Sequence, residues 1–475
     1  MRSIRLPIVV RGLGLLPILA VTVVLAPLLP VPLDSLRWHG IQGVAVEVGG
    51  VFLLMAALCR PWPKLFGLPP PLRQVSLLCL HGLLLWALIS CGRDPNPFAV
   101  QSLLTLGFGV LAADVVAAQI TDQRRMVFLV DAVLLAAALV CLWGLITLGS
   151  AAAGLAAGPL QDHQLFGAFM SIPLLLSLAL SCGGGTSAQR LAGQASLLLC
   201  LAGSWEAQDR SAWLGQGASL LVFAGLTVFV LGRKTVIRSG ALVPALLVLA
   251  AALGVVLLSP NRDQVVARLQ SVAHAPDSAY DSRLWREQVW SGTRRMIAQK
   301  PLWGWGVGSF PVLHQPWTHS GRRAGEVYAA GPNIEDEAHN SYLQVWAEIG
   351  GAGLALWLAA LSSFLGAGAR ALARYPARSP AQWLLIGCLS AIAGQMTDAF
   401  ANPAWQFGQV ALPLWLVLGL TAALTRPAEA PHKHARQIAA ALPARIGQAA
   451  LAAAASAAFL WLIYRTAFAL PAPRL

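Results

Sequence analysis

The chain has 475 residues, of which 57% are hydrophobic and only 11% charged. A soluble domain carries about 25% charged residues, so that class is excluded and a polytopic membrane protein is expected. The net charge of +13 lies in short loops between apolar runs, a pattern that fits membrane anchoring and argues against nucleic acid as a partner.

Apolar runs place spans at about 12–31, 41–59, 74–91, 99–119, 126–148, 165–182, 190–204, 211–232 and 240–258. Further runs follow at about 342–366, 381–399, 405–425 and 448–468. The expected fold is all-α, with about 12–13 transmembrane helices. The chain divides into N-terminal helices over 1–258, one large loop over 259–341, and C-terminal helices over 342–475. Arg2, Arg5 and Arg11 precede the first run with no small-residue cleavage site after it, so it reads as an uncleaved span. The seven cysteines lie in or beside apolar runs at no metal-ligand spacing, so they read as packing residues.

Basic residues orient the helices. With the N-terminus cytoplasmic, the inner segments hold 19 Lys and Arg, the short outer segments hold 5, and the large loop holds the remaining 9 of 33. The excess marks the inner side, so the loop lies outside the cytoplasm, in the periplasm of a Gram-negative cell. Within it, Leu284, Trp285, Val289, Met296 and Ile297 recur at near-helical spacing, which predicts an amphipathic helix over Ser282–Ala298 that Pro301 limits. Gly304, Gly306 and Gly308 then make a turn-rich strip between Trp303, Trp305 and Phe310. Three carboxylates, Glu335, Asp336 and Glu337, come next. His339 stands where the loop meets the following span, a place suited to chemistry on a lipid-linked substrate.

Arg283 and Arg286 are three residues apart and share a helix face; paired guanidinium groups bind a diphosphate with bidentate geometry. Arg294 and Arg295 read as a solvated surface. Arg210 stands at the outer end of a span. The carboxylates near His339 favour imidazolium, whereas a neutral ring accepts a proton from a sugar hydroxyl; both forms stay open. Glu47, Asp114, Asp131 and Glu348 are acids inside spans, and Asp398 lies near an outer end. Such groups also suit ion coupling in a transporter or lipid flippase. His81 reads as a packed polar residue, and Asp162-His163 is a weak cation signal. There is no phosphate loop, metal cluster or nucleophile elbow, so no metal or cofactor is expected.

In this order the motifs resemble the O-antigen ligase and polymerase superfamily of polytopic bacterial glycosyltransferases. The resemblance rests on Asp209-Arg210-Ser211-Ala212-Trp213-Leu214, on Pro-Leu-Trp-Gly-Trp-Gly-Val-Gly-Ser-Phe over 301–310, and on His339-Asn340-Ser341-Tyr342-Leu343-Gln344 followed by Glu348-Ile349-Gly350. It covers about 205–355. It implies an all-helical, GT-C-like fold in the inner membrane and an inverting, metal-independent transfer. The donor it implies is an undecaprenyl-diphosphate-linked glycan, and the acceptor is lipid A-core in a ligase or another glycan in a polymerase. One large outer loop without a large C-terminal outer domain leans towards ligase. By the same resemblance Arg210 and Arg283, assisted by Arg286, bind the diphosphate, and His339 acts at the transfer step. Asn340, Glu348, Gly306 and Gly308 support them. Asp209 stands where relatives carry serine, and Gln164 where many carry asparagine.

Overall fold

A chain in lipid must satisfy its own backbone polar groups, which leaves helices as the way to carry these apolar runs. The computed structural model describes residues 15–28, 74–148, 155–160, 162–232, 282–314 and 337–426; the side chains of 282–285 stand outside that description. Its long helices are α1 (Leu15–Leu25), α2 (Val75–Arg93), α3 (Ala99–Gln119), α4 (Gln123–Ile146), α5 (His163–Gly183), α6 (Ser187–Ala207), α7 (Arg210–Leu231), α8 (Ser282–Gln299), α10 (Ser341–Leu372), α11 (Pro380–Asp398) and α12 (Gly408–Leu424), with a short α9 (Phe310–Leu313). No strand occurs among the described residues. The fold is all-α, and six of these helices, α2, α3, α4, α5, α7 and α10, are long and apolar enough to cross a membrane. The spans expected at 41–59, 240–258 and 448–468 lie outside the described residues.

The short run at 190–204 forms a full helix of 21 residues in α6. A capping box starts it early: the Thr186 hydroxyl accepts from Gln189 N at 3.1 Å, and Thr186 N donates back to Gln189 Oε1 at 3.1 Å. Helix α5 is apolar all round and accordingly sits at the centre, buried on nearly every face against α6, α7 and α11. Small residues bring these helices close. A side chain on Gly394 of α11 would meet Ser219 and the Gly215 carbonyl of α7, and one on Gly193 of α6 would meet the α5 backbone. The outer faces carry exposed Leu85, Ile89, Leu135, Leu142, Leu221 and Phe229, the surface a lipid-facing bundle presents.

The helix ends separate by chemistry. Arg124, Arg125, Arg190, Arg374 and Arg426 gather at one end, where Arg426 donates to the Ile120 carbonyl and Tyr375 to the Leu424 carbonyl. At the other end lie the turns at 94–98, 207–209, 300–309, 337–340 and 399–407. Inside the bundle the expected polar residue His81 faces Asp114 at 3.0 Å and the Leu77 carbonyl at 2.8 Å. This pairing joins α2 to α3.

Helix α10 is broken at Gly350, which has φ 72° and ψ 177°. The break frees carbonyls and amides that cannot stay unpaired in a buried site. The glycine strip supplies most of the partners, and α2 one more. Trp305 N donates to the Ala347 carbonyl at 2.9 Å and Gly306 N to the Glu348 carbonyl at 2.8 Å. Trp86 Nε1 donates to the Ile349 carbonyl at 2.7 Å. On the far side, Gly351 N donates to the Pro301 carbonyl at 2.8 Å. Non-helical backbone at membrane depth is tolerated only under such cover.

The strip approaches so closely that a Cβ on Gly304 would strike the Glu348 carbonyl, and one on Gly350 would strike the Leu302 carbonyl. Gly350 also sits in backbone space that is essentially glycine's alone. Gly350→Ala is therefore expected to destabilise the chain by about 1–3 kcal/mol from backbone strain alone, read as a lower unfolding midpoint in detergent. An unchanged midpoint would show that the break is not held as described.

Candidate functional site

Three helix N-termini meet at the turn-bearing end, and one residue ties them together. Asn402, with no solvent exposure, lies in the turn between α11 and α12. Its amide donates to the Gln164 carbonyl in the first turn of α5 at 3.3 Å and to Asp209 Oδ2, the cap of α7, at 3.1 Å. Its backbone carbonyl accepts from Ser341 Oγ, at the start of α10, at 2.9 Å. Each N-terminus presents the positive end of a helix dipole. Converging them makes a basin for an anion.

Local sequence starts each of those helices. Asp162 caps α5, with Oδ1 accepting from Gln164 N at 2.6 Å and Leu165 N at 3.0 Å. Asp209 caps α7, with Oδ1 accepting from Ser211 N at 3.0 Å and Ser211 Oγ at 2.7 Å. Asn340 caps α10 by accepting from Leu343 N at 3.0 Å. The aspartate at 209 thus caps α7, and it adds a buried carboxylate.

That carboxylate is met by Arg286. Helix α8 lays its apolar face, with Val289, Met296 and Ile297, against Phe310, Ala338 and Ala347. Arg286 is thereby carried among Asp209, Asp398, Asp162 and Arg210. Its Nε is sealed from solvent with no hydrogen-bond partner among the described residues. Burial lowers its pKa, and the like charge of Arg210 adds to this, against the pull of the three carboxylates. A guanidinium stays protonated through such a shift. Burial pushes the Asp209 carboxyl above the usual carboxylate range, against its Ser211 bonds, His163 and Arg286. Asp398, fully buried, faces the same group.

His339 completes the cluster. It adopts φ 46°, in the left-handed region, immediately before the α10 cap, and its side chain is 16% exposed. Nε2 lies 3.6 Å from Glu337 Oε1, a separation too long for a hydrogen bond. Burial, and then the charge of Arg286, lower the imidazole pKa to about 3. The ring is neutral at physiological pH, so of the two forms the sequence left open, the structure holds the imidazole.

The other expected site residues are placed as follows. Arg210 is the first residue of α7, beside Arg286. Arg283 lies in α8, but its side chain is outside the described residues. Arg294 is exposed, and Arg295 donates to Ser291 Oγ at 3.1 Å. Asp162 and His163, weak signals in the sequence, stand within the cluster's electrostatic reach. Gly306 and Gly308, both at positive φ, belong to the strip that covers the α10 break. Glu348 is buried beneath that strip. Below it a cavity of about 110 Å³ is lined by Ser102, Trp357, Trp405, Gln406 and Trp415 among others. Asn402 was missed, although Asn-Pro between two apolar runs marks a turn.

Residues 195–358 match the family model described as O-Antigen ligase. The match places this stretch with the O-antigen ligase and polymerase superfamily. A comparison with curated proteins returned no match. The matched stretch contains Arg210, Arg286, the glycine strip, His339 and Glu348, whereas Asp162, Asp398 and Asn402 lie outside it. An O-antigen ligase domain implies a membrane-embedded, glycosyltransferase-like enzyme of the ligase and polymerase type that acts on lipid-linked glycans.

Proposed function

We propose that the chain transfers a glycan from undecaprenyl diphosphate to an acceptor hydroxyl at the periplasmic face of the inner membrane, with lipid A-core as the acceptor. The observation that carries this reading is the meeting of Arg286, Arg210 and His339 with three helix N-termini at one end of the bundle. A leaving diphosphate carries the concentrated negative charge that such a basin suits. The basic-residue count supports placing this end outside the cytoplasm, as a single periplasmic loop between two sets of spans.

In this mechanism Arg210 and Arg286, with Arg283 on the same helix, hold the diphosphate. The acceptor oxygen bonds to the anomeric carbon from the opposite face, and the carbon–oxygen bond to the diphosphate breaks, inverting that centre without a metal. The leaving diphosphate takes the bonding electron pair. His339 orients the acceptor hydroxyl and passes its proton towards the departing diphosphate. The tryptophan-lined cavity would take the first isoprene units of the carrier. A carrier protein would place its polar groups near mid-depth, whereas this cluster stands at one end.

Purified protein in vesicles, given undecaprenyl-diphosphate glycan with either lipid A-core or a second lipid-linked glycan, tests the reading. Glycosylated lipid A-core is expected. Growth of the lipid-linked glycan instead would make the protein a polymerase, and no product with either acceptor would reject the transferase reading.

A further inference from the structure

His339 is held in a conformation it does not favour by itself: its φ of 46° is left-handed backbone, which residues other than glycine seldom adopt. What holds it there lies deeper in the protein. We propose that Gln344 and Glu348 form a buried polar relay that positions His339 from beneath, tying the histidine to the glycine strip. This rests on the transferase reading for what His339 does. It adds two positioning residues that do not touch the substrate.

Each hydrogen bond in the relay has a forced direction. Ala338 N–H, one residue before His339, donates to Gln344 Oε1 at 3.0 Å. A backbone amide only donates, so the Gln344 oxygen faces it and the NH₂ group turns the other way. There it meets Glu348 Oε1 at 3.3 Å. Glu348 Oε2 accepts from Gly308 N at 2.9 Å. The Ala338 carbonyl in turn accepts from Trp290 Nε1 of α8 at 2.9 Å. Ala338 is therefore pinned at both of its backbone polar groups, by the interior of α10 and by the helix that carries Arg286.

Burial makes the relay strict. Ala338 and Gln344 have no solvent exposure and Glu348 has 8%, so water does not replace a lost partner, and an unpaired group there carries its full desolvation penalty. A Gln–Glu pair four residues apart ordinarily serves only its own helix. Here both outer ends of the pair bond away from α10, to Ala338 and to Gly308.

The forced directions supply the test. In Glu348→Gln, an amide oxygen kept on Gly308 N–H turns the new NH₂ onto the NH₂ of Gln344. Flipping Gln344 only moves the conflict to Ala338 N–H, so two donors meet either way. Gln344→Glu alone sets two carboxylates against each other. The double variant E348Q/Q344E reverses the polarity and remakes every bond: the carboxylate at 344 accepts from Ala338 N–H and from the new amide at 348, which still accepts from Gly308 N–H.

Two quantities are to be measured on the full chain in vesicles: kcat and donor KM for glycan transfer, and the rate of His339 carbethoxylation by diethyl pyrocarbonate, followed by mass spectrometry. Each single variant is expected to lower kcat about tenfold to a hundredfold with donor KM nearly unchanged, the size of effect a small misplacement of a reacting group produces, and to change the His339 modification rate. The double variant is expected to recover both, within about threefold of the parent protein. Single variants that match the parent, or a double variant no better than the worse single one, would overturn the relay, and the double variant decides the matter where a single one fails to fold. If the parent transfers no glycan while His339 modification still follows the pattern of loss and recovery, the transferase reading fails and the relay stands.

Discussion

Arg286→Lys is expected to lower glycan transfer about a hundredfold or more while leaving the chain folded, because removing one preorganised donor from a developing anion has that effect. Lysine keeps the positive charge that Asp209, Asp398 and Asp162 face, but it replaces a planar fork with a single point. Arg286→Ala goes further. It removes a cation whose charge acts on the buried Asp209 and Asp398, so stability should fall as well. The alanine variant should therefore lose both transfer and unfolding midpoint, and the lysine variant transfer alone. Arg294→Ala is the control, since Arg294 is exposed on the same helix and its loss should change neither. Single-turnover transfer in vesicles, with thermal unfolding in detergent, separates the three. A lysine variant that transfers at the parent rate would remove Arg286 from the diphosphate site.

The class of the protein was legible because composition and run length bear directly on burial in lipid. The amphipathic helix in the loop was legible for the same reason: Val289, Met296 and Ile297 repeat at helical spacing, and they are the residues that pack. Spacing showed that Arg283 and Arg286 share a face, but not that Arg286 would stand near Asp209, which lies 77 residues earlier in the chain. The break at Gly350 was hidden. Hydropathy runs straight through 342–366, and the partners that make the break tolerable come from the strip at 301–306. Asn402 was hidden in the same way, since its three partners belong to α5, α7 and α10. The protonation of His339 shows the limit most clearly. Neighbouring carboxylates in the sequence argue for imidazolium, whereas burial and Arg286, both products of tertiary packing, reverse the direction.

That reversal leads to the second large effect. His339→Ala is expected to reduce transfer by about 10²–10⁴-fold, the range for loss of a group that handles a proton in the transition state, with the fold retained. The pH dependence is more specific. In the free protein the imidazole gains a proton only near pH 3, so kcat/KM, which reports the free protein, should show no inflection from His339 between pH 5 and 8. A bound diphosphate changes the surroundings. Its negative charge lies beside Arg286, offsets the guanidinium that depresses the histidine, and raises the imidazole pKa. Because the neutral ring is the active form, kcat should fall as pH drops through that raised value. The donor would thus make His339 a better base at the moment it is needed. Departure of the diphosphate would remove that support and release the proton, which a phosphate with a second ionisation near about 6 accepts. Matching acid limbs in kcat and kcat/KM, both lost in His339→Gln, would show instead that His339 is already basic in the free protein and that Arg286 does not control it.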